Sequence, residues 1–457
     1  MSTADARVSS GKGADPGTLS VHGLPQASGM SHADSGAANA YFVQGDERSI
    51  SSPFDLGLVS FTGTASANQS RVSRPLRVLH VYKTFFPDSV GGMEQAISQM
   101  VRATQGSGVE NRILSISPNP LPKVLGWEGA QHLRFQQTVS LASNAMSFEL
   151  MREFGKHVAW ADVVHYHFPW PFADLLHLTW GVRKPSIVTY HSDIVRQRHW
   201  MRLYRWLMFR FLGSVDCIVA TSPNYVRTSG VLQRFAAKTR VIPIGLNPGS
   251  YPVASPAVLK RWQAAVGRGF FLFIGVIRYY KGLHILIEAA AGTTYPIVIV
   301  GAGPIESELR IRANRLGLTN VRFLGALPEE DKVALLTLAG TVVFPSHLRS
   351  EAFGVTLLEG AMHGKPLISS EIGTGTSFIN VNEETGLVIP PGDPVALRNA
   401  MNRLYADEAL RDRMGTAARA RFDTYFTAEK MGKDYLSAYR ALCADATSAA
   451  ASQLQKA

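Results

Sequence analysis

The chain has 457 residues, of which 46% are hydrophobic and 18% are charged, and its formal net charge is +11. This balance is ordinary for a globular protein, and the length predicts two or three domains. The positive charge favours acidic partners, which are nucleotide-sugar phosphates, an anionic lipid surface or nucleic acid, without choosing among them. Two cysteines are too few for a disulfide framework or a cysteine-based metal cluster, and no apolar run is long enough to span a bilayer.

Residues 1–74 are rich in Ser, Ala, Gly and Asp and contain few large apolar side chains. Such a segment buries too little surface to offset its ordering entropy, so we predict a disordered N-terminal extension. The chain does not open with a basic stretch, an apolar run and a small-residue cleavage site. Together with the low cysteine content, this predicts a cytoplasmic location.

Regular structure is predicted from a strand at 77–82, which leads through a loop ending in Gly91 and Gly92 to a helix from Met93. A strand, a glycine turn and a helix are typical of the opening unit of a doubly wound sheet. The glycines let the backbone approach a ligand, and the start of the helix favours a phosphate or a sugar. Taken alone, the glycine pair is equally compatible with a tight turn.

Strand-like and helix-like runs then alternate to residue 247, which predicts a first α/β domain at 75–247. Its further strands are expected at 111–117, 162–166, 186–191, 216–221 and 241–244. His191 ends one of them, at the sheet edge where such folds bind ligands, although an isolated histidine there is more often structural. His165 and His167 flank another strand end, and they fit an acceptor cleft and the core equally well.

Residues 196–212 predict an amphipathic helix with arginines at helical spacing. Its apolar stripe consists of Trp200, Leu203, Leu207 and Phe211. Such a helix can lie on an anionic membrane with its aromatic residues below the phosphates. A helix packed on the core with a solvated basic face explains the pattern equally well.

A segment rich in Pro and Gly between Pro243 and Pro256 predicts a domain boundary, and alternating elements predict a second domain at 257–426. After its first strand, Arg278 and Lys281 stand three residues apart, so both can reach one anion. An exposed basic loop is the alternative. A last amphipathic helix is predicted at 427–442, with Thr427 as its N-cap.

Two acids eight residues apart, Glu351 and Glu359, follow a buried-strand pattern at 341–346. Eight positions are close to two helical turns, so a helix beginning near Glu351 would present both carboxylates on one face. The amides of Phe353, Gly354 and Val355 would be unpaired at its start and ready for an anion. These features predict a site for a sugar attached to a phosphate.

The string S-E-A-F-G-V-T-L-L-E-G-A-M-H-G-K-P, with G-G-M-E and R-x-x-K-G before it, resembles the family 4 retaining glycosyltransferases. The resemblance implies the GT-B fold, in which two Rossmann-like doubly wound domains face each other across a cleft and the last helix packs back on the first domain. It implies that His191 faces the transferred sugar and that Arg278 and Lys281 stabilise the leaving diphosphate. Glu351 would bind the sugar and Glu359 the ribose hydroxyls.

Two longer strings, V-L-H-V-Y-K-T-F-F-P-D-S-V-G-G-M-E-Q and S-S-E-I-G-T-G-T-S-F-I-N, resemble bacterial O-antigen mannosyltransferases and D-rhamnosyltransferases that use GDP-sugars. The resemblance implies transfer of mannose or D-rhamnose to a lipid-linked polysaccharide, by an enzyme bound peripherally to the inner face of the cytoplasmic membrane.

Other readings remain open at this point. The same fold serves UDP-sugar donors, soluble acceptors, sugar phosphorylases and proteins that bind a nucleotide sugar without turnover. The chain contains no Asp-x-Asp motif, so we expect a metal-independent enzyme with the nucleotide sugar as co-substrate and no other cofactor. No basic stripe with stacking aromatics supports nucleic-acid binding.

Overall fold

The computed structural model of the protein describes residues 74–141, 144–194 and 198–454. The predicted disorder of 1–74 concerns residues that, apart from Arg74, lie outside these ranges. Within them, two mainly parallel sheets flanked by helices form two Rossmann-like domains, and the predicted α/β fold class is confirmed. None of the described helices combines the length and the apolar character that crossing a bilayer demands.

The described part of the first domain contains ten strands: β1 (Leu76–Val81), β2 (Val109–Ser117), β3 (Val124–Trp127), β4 (Ala130–Gln136), β5 (Val139–Leu141), β6 (Asn144–Met146), β7 (Val163–Phe168), β8 (Ser186–Tyr190), β9 (Cys217–Ala220) and β10 (Thr239–Val241). Eight of them form one sheet in the order β10-β9-β8-β7-β1-β2-β4-β3, with β3 antiparallel to β4. Strands β5 and β6 pair as a separate hairpin. Central strand β7 is buried along its whole length, as helices covering both faces of a sheet require.

The helices of this domain are α1 (Gly92–Thr104), α2 (Phe148–Trp160), α3 (Pro171–Thr179), α4 (Arg198–Ser214), α5 (Pro223–Thr228) and α6 (Gly230–Arg234). Serine side chains cap the N-termini of three of them, α2, α5 and α6. Ser147 accepts a hydrogen bond from the Leu150 amide at 3.2 Å, and Ser222 accepts one from the Tyr225 amide at 3.1 Å. These caps pair amides that would otherwise lack partners at the helix start.

The second domain is built on strands β11 (Phe271–Ile274), β12 (Ile297–Val300), β13 (Val321–Gly325), β14 (Thr341–Phe344), β15 (Leu367–Ser370) and β16 (Gly386–Ile389). All six are parallel, in the order β13-β12-β11-β14-β15-β16. The order reverses between β11 and β14, and folds of this kind bind ligands beyond the carboxyl ends of the strands at such a point. Both of these strands are short, apolar and wholly buried.

The helices that follow along the chain are α7 (Pro256–Val266), α8 (Leu283–Ala290), α9 (Glu306–Arg315), α10 (Glu329–Leu338), α11 (Val355–Met362), α12 (Thr376–Ile379), α13 (Pro394–Ala406), α14 (Glu408–Tyr425) and α15 (Ala428–Leu454). Aspartates cap α13 and α14, with Asp393 accepting from the Ala396 amide at 2.9 Å and Asp407 from the Leu410 amide at 2.8 Å.

The last helix, α15, returns to the first domain. Thr427 caps it, as predicted, by accepting a hydrogen bond from the Lys430 amide at 3.3 Å, but the helix continues to Leu454, beyond the predicted end at 442. Its Tyr435 and Tyr439 are buried in the core of the first domain, where Met100 of α1 also lies.

The chain passes between the domains twice, and the two passages are bonded to each other. The Leu246 amide donates to the Phe426 carbonyl at 2.9 Å, and the Ala428 amide donates to the Leu246 carbonyl at 3.0 Å. A β-bridge therefore joins the outgoing and the returning segments at Leu246 and Thr427.

The last strand of the first domain differs from the prediction. It ends at Val241, whereas the sequence pattern predicted 241–244. The Ile242 amide still donates to the Ala220 carbonyl at 3.0 Å. Pro243 comes next, and because proline has no amide hydrogen the ladder stops there.

Candidate active site

Helices α1 and α11 begin close together, one from each domain. A β-carbon built on Gly92 would lie 3.6 Å from Cγ2 of Val355. Among the described residues, the amides of Phe353, Gly354 and Val355 have no hydrogen-bond partner. Two helix N-termini thus meet at one crevice, and each contributes partial positive charge and free amide donors that favour an anion.

Lys281 and Glu351 form an ion pair beside this crevice, with side chains 13% and 11% exposed. The turn that carries Lys281 approaches the loop after β14 closely, because a β-carbon on Gly282 would lie 1.9 Å from the Pro345 carbonyl oxygen. Gly282 also has a φ of +73°, so only glycine fits there. The His347 amide, which donates to the Tyr280 carbonyl at 3.0 Å, fastens the turn to the loop.

The prediction that Glu351 and Glu359 share a helix face is wrong. Helix α11 begins at Val355, and Glu351 lies in the loop four residues before it. The reason is Gly354, whose φ of +99° is outside the helical region, so the turns of the helix cannot extend back to Glu351. Glu359 lies within the helix and accepts a hydrogen bond from the Tyr251 hydroxyl at 3.1 Å.

Glu359 is half-buried, and its surroundings oppose its charge. Burial, with the negative charge of Glu329 nearby, raises the pKa of Glu359 to about 7. Tyr251, its hydrogen-bond donor, belongs to the segment between the domains. The structure therefore brings Lys281 to Glu351 and leaves Glu359 in a separate environment further along α11.

Arg278 is exposed just before the short turn at Tyr279–Lys281, and it is near enough to Lys83 of the first domain for its charge to act on that lysine. Burial lowers the pKa of Lys83, which follows β1, and the positive charge of Arg278 lowers it further while Glu94 opposes the shift. Two cations from different domains thus lie in one neighbourhood, an arrangement that an anionic ligand would stabilise.

Glu94, in the first turn of α1, organises the loop that ends in Gly91. It is 4% exposed, and its Oε1 accepts hydrogen bonds from the hydroxyls of Thr84 and Ser89, both at 2.8 Å. Lys83 and Glu94 were not among the site residues predicted from the sequence. The available signal was an acid in the first turn of a helix directly after two glycines.

His191 follows β8 and is 3% exposed, and burial lowers its pKa to about 3, so the imidazole is neutral. Two residues later, Asp193 accepts a hydrogen bond from Arg349 of the second domain at 3.2 Å. Arg349 itself stands two residues before Glu351. His191 and Glu351 therefore lie on the two sides of one contact between the domains.

His165 and His167, for which the sequence left a cleft and a core position open, lie in the core. They are 0% and 1% exposed, and burial lowers the pKa of each well below its usual value. Their hydrogen bonds run to other buried groups of the first domain.

Helix α4 covers the predicted amphipathic segment, although residues 195–197 and the side chains of 198–203 lie outside the described part. Of the two interpretations left open for this helix, the position of Phe211 fits packing on the core, because Phe211 and Met208 are buried in the core of the first domain. The exposed side of the helix instead presents Trp206, 64% exposed, between Arg205 and Arg210.

The chain matches two known protein families, one in each domain. Residues 90–249 match the family described as Glycosyltransferase Family 4, and residues 257–421 match Glycosyl transferases group 1. Together the two matches cover the crevice from both sides.

Two similar proteins extend along most of the chain. The D-rhamnosyltransferase WbpZ of Pseudomonas aeruginosa is 54% identical over 353 residues, which are 77% of this chain and 93% of the relative. The O-antigen chain mannosyltransferase C of Escherichia coli is 48% identical over 367 residues, 80% of this chain and 99% of that protein.

Solved structures share the fold at lower identity. Sucrose-phosphate synthase from Thermosynechococcus elongatus superimposes with a TM-score of 0.67 at 22% identity, covering 81% of this chain and 100% of the other. The Anabaena protein HepE, solved with UDP and glucose, gives a TM-score of 0.66 at 18% identity, with coverage of 80% and 100%.

Proposed function

The chain belongs to the family 4 and group 1 glycosyltransferases, and on this basis we propose that it transfers mannose or D-rhamnose from a nucleotide sugar to an O-antigen polysaccharide. The observation that carries the proposal is the identity, over most of both chains, to a D-rhamnosyltransferase and an O-antigen mannosyltransferase. We further propose that the donor is a GDP-sugar, on the strength of the motifs around Gly92 and Glu371.

The donor diphosphate is proposed to lie where α1 and α11 begin. Lys281 and Arg278 would carry the charge that develops on the leaving diphosphate, and each charge-assisted hydrogen bond contributes roughly 1.5–3 kcal/mol. The free amides at 353–355 and the helix start at Gly92 would add donors to the phosphate or the sugar. We propose that these fixed groups act without a divalent cation, so that activity persists in a chelator.

Glu351 is proposed to hydrogen-bond the transferred sugar from the second domain while His191 does so from the first. Glu359 would accept hydrogen bonds from the ribose hydroxyls. In the reaction, the acceptor hydroxyl oxygen bonds to C1 of the sugar and the bond from C1 to the diphosphate breaks. The hydroxyl proton passes to the departing phosphate oxygen on the same face, so the anomeric configuration is retained.

We propose that the enzyme works at the inner face of the cytoplasmic membrane, where a lipid-linked acceptor would be exposed. The support is a basic and aromatic surface on α4 and α6 of the first domain. Its residues are Arg205, Trp206, Phe209, Arg210 and Arg234. Arg210 lies over the Trp206 ring at 5.0 Å and Arg234 over the Phe209 ring at 4.7 Å, so cations and aromatic rings alternate as anionic lipid headgroups require.

The test incubates purified protein with a lipid-linked O-antigen acceptor and separate GDP-mannose, GDP-D-rhamnose and UDP-glucose, and measures released nucleotide. We expect release with a GDP-sugar, only when the acceptor is present, and equally in excess chelator. Nucleotide release with UDP-glucose but with neither GDP-sugar would overturn the proposed donor. If the protein bound all three nucleotide sugars and released no nucleotide, the proposed sugar transfer would be wrong. A matched Glu351→Gln variant separates turnover at this site from a contaminating activity.

A further inference from the structure

One face of the first sheet carries a layer of imidazole rings beneath α1 and α15. His80 comes from β1, and His165 and His167 come from β7. The strand register places His80 beside His165 and His167 beside Thr189 of β8. His191, two residues after Thr189, continues the layer toward the crevice. Through His191, this stack of buried histidines reaches a proposed site residue.

Four side chains of the layer form a continuous chain of hydrogen bonds. Nε2 of His191 lies 3.2 Å from Nδ1 of His167, and Nε2 of His167 lies 3.2 Å from Nδ1 of His80. Nε2 of His80 lies 3.1 Å from Oδ1 of Asn111 in β2. All four residues are at most 3% exposed, so water does not compete for these bonds.

The direction of this chain is fixed at its far end by α1. The Asn111 amide nitrogen donates to Thr104 Oγ1 at 3.1 Å and faces the Val101 carbonyl at 3.4 Å. A carbonyl can only accept, and the Thr104 hydroxyl already donates to the Met100 carbonyl at 3.0 Å. The nitrogen of the amide therefore points to α1, and its oxygen, which can only accept, points to His80.

Each imidazole of the chain is neutral, because burial lowers the pKa of His80 to about 4, that of His191 to about 3 and that of His167 well below its usual value. A neutral imidazole has one N–H and one acceptor nitrogen. His80 must then carry its hydrogen on Nε2 and accept on Nδ1. His167 therefore donates from Nε2 to His80 and accepts on Nδ1. His191 in turn donates from Nε2 to His167 and leaves Nδ1 as an acceptor.

We propose that Asn111 is a positioning residue for sugar transfer: through His80 and His167 it holds His191 as the Nε2–H tautomer, so that Nδ1 of His191 accepts a hydrogen bond from a hydroxyl of the transferred sugar. The inference rests on the proposed function for the sugar, and on the hydrogen bonds and the burial of the rings for the tautomer. Among the described residues no hydrogen bond involves Nδ1 of His191, whereas Nε2 is bonded to His167.

A metal ion held by His80, His165 and His167 is the competing explanation for the layer, since one nitrogen of each lies within 4.8 Å of the others. All six ring nitrogens, however, already have hydrogen-bond partners. Those of His165 pair with Tyr439 and Thr189, both at 2.7 Å. An ion would have to displace these bonds, so the layer fits a hydrogen-bonded stack better than a metal site.

The test combines ¹⁵N spectroscopy of the imidazole rings in histidine-labelled protein with steady-state kinetics. Asn111→Leu and His80→Phe break the chain at different links. Tyr439→Phe, which removes a hydrogen bond to His165 in the same layer, leaves the chain to His191 intact and serves as the control. Circular dichroism and thermal unfolding verify that each variant is folded, and elemental analysis measures bound metal.

We expect wild type and Tyr439→Phe to show His191 protonated on Nε2, and both chain variants to show a mixture of tautomers. Turnover should fall roughly tenfold in each chain variant, the scale of one hydrogen bond to the transition state, with little change in donor KM. The double variant should be no slower than the slower single variant, because both act through His191.

Three results would overturn the proposal: Nδ1–H at His191 in the wild type, mixed tautomers with unchanged turnover, or one equivalent of bound metal in the layer. If the wild-type protein transfers no sugar but shows the expected tautomer, the proposed function is wrong and the hydrogen-bond chain is still supported. The two failures are therefore distinguishable.

Discussion

Arg349 of the second domain donates a hydrogen bond to Asp193 of the first at 3.2 Å, and this pair bridges the crevice between His191 and Glu351. Asp193 is held in place by the hydroxyls of Tyr190 at 2.9 Å and Ser229 at 2.8 Å. The aspartate is therefore an oriented partner, and the ion pair fixes the distance between the two segments that carry the proposed sugar contacts.

Asp193→Asn and Arg349→Gln should each lower kcat/KM about 2- to 5-fold. The pair is partly exposed, with side chains 22% and 32% accessible, and such pairs contribute about 0.5–1 kcal/mol. The double variant should be no worse than the worse single variant, because the ion pair between Asp193 and Arg349 is already lost in each single variant. Arg403→Gln, which breaks a pair with Glu383 inside the second domain, is the control. Fully additive losses would contradict this account.

Arg278→Ala should lower turnover by roughly 10²–10³, the scale observed when one partner of the transition-state charge is lost. Arg310→Ala, which removes an arginine of α9 paired with Glu306, should leave turnover unchanged. Single-turnover kinetics at saturating donor measure the step directly. Wild-type rates for Arg278→Ala would remove Arg278 from the site.

Glu359 should make the protein less stable as the pH rises. In the unfolded chain a glutamate loses its proton near pH 4.3, whereas burial raises the pKa of Glu359 to about 7 in the folded protein. Between these values the folded state binds more protons, so the free energy of unfolding falls and stays low above pH 7.

Glu359→Gln should remove this cost, and its stability relative to wild type should rise by up to about 3 kcal/mol between pH 4.5 and pH 8. Urea unfolding of both proteins at several pH values measures it. Nucleotide affinity should move the opposite way, since the wild-type carboxylate accepts from ribose hydroxyls best above pH 7. A pH-independent difference in stability would show that Glu359 is ionised throughout.

The histidine layer should make the protein sensitive to acid. Unfolded histidines gain a proton near pH 6.5, while burial lowers the pKa of His80 to about 4 and that of His191 to about 3 in the folded protein. The unfolded state binds more protons in this window, so stability falls as the pH drops from 6.5 to 4, by about 1.4 kcal/mol per pH unit for each such histidine.

Denaturant unfolding at pH 7, 6 and 5 measures the slope. His177→Gln tests how many buried histidines contribute to the slope. Burial also lowers the pKa of His177 to about 4, but His177 lies outside the chain to His191. Its removal should reduce the slope by one histidine's share. A stability that is constant from pH 7 to pH 5 would contradict the buried neutral layer.

The aromatic and basic surface on α4 should bind anionic vesicles. Full-length protein should sediment with vesicles containing phosphatidylglycerol and not with vesicles of phosphatidylcholine alone, and binding should weaken as salt is added. Trp206→Ser should reduce the bound fraction several-fold, because the ring is 64% exposed. Trp180→Ser, on an exposed tryptophan of another surface, is the control. Equal binding by both variants would exclude this surface.

The fold could be predicted from the sequence where strands are continuous apolar runs, as in β11 and β14. Prediction failed where the backbone of a single residue determines where a helix begins or a strand ends. Gly354 starts α11 four residues later than the spacing of the acids implied, and Pro243 ends β10 early. Strands β3 and β4 were missed because β3 has only four residues and β4 mixes apolar with polar residues.

The site could be predicted only in part. Lys281 and Glu351 lie together because Gly282 lets two loops touch, which a sequence motif implies without stating the contact. The hydrogen-bond chain from Asn111 to His191 could not be predicted from the sequence, because it depends on the register that pairs His80 with His165. A histidine in a strand carries no sign of its neighbour until that register is known.

The bridge between Leu246 and Thr427 has a mechanical consequence. A protein whose domains share a single tether can twist, slide and tilt about it, but here two parallel strands of backbone are tied side by side at the border. The two bonded segments therefore act as a hinge between the domains. Opening and closing of the crevice about this hinge keeps both hydrogen bonds at Leu246, whereas twisting one domain against the other would break them.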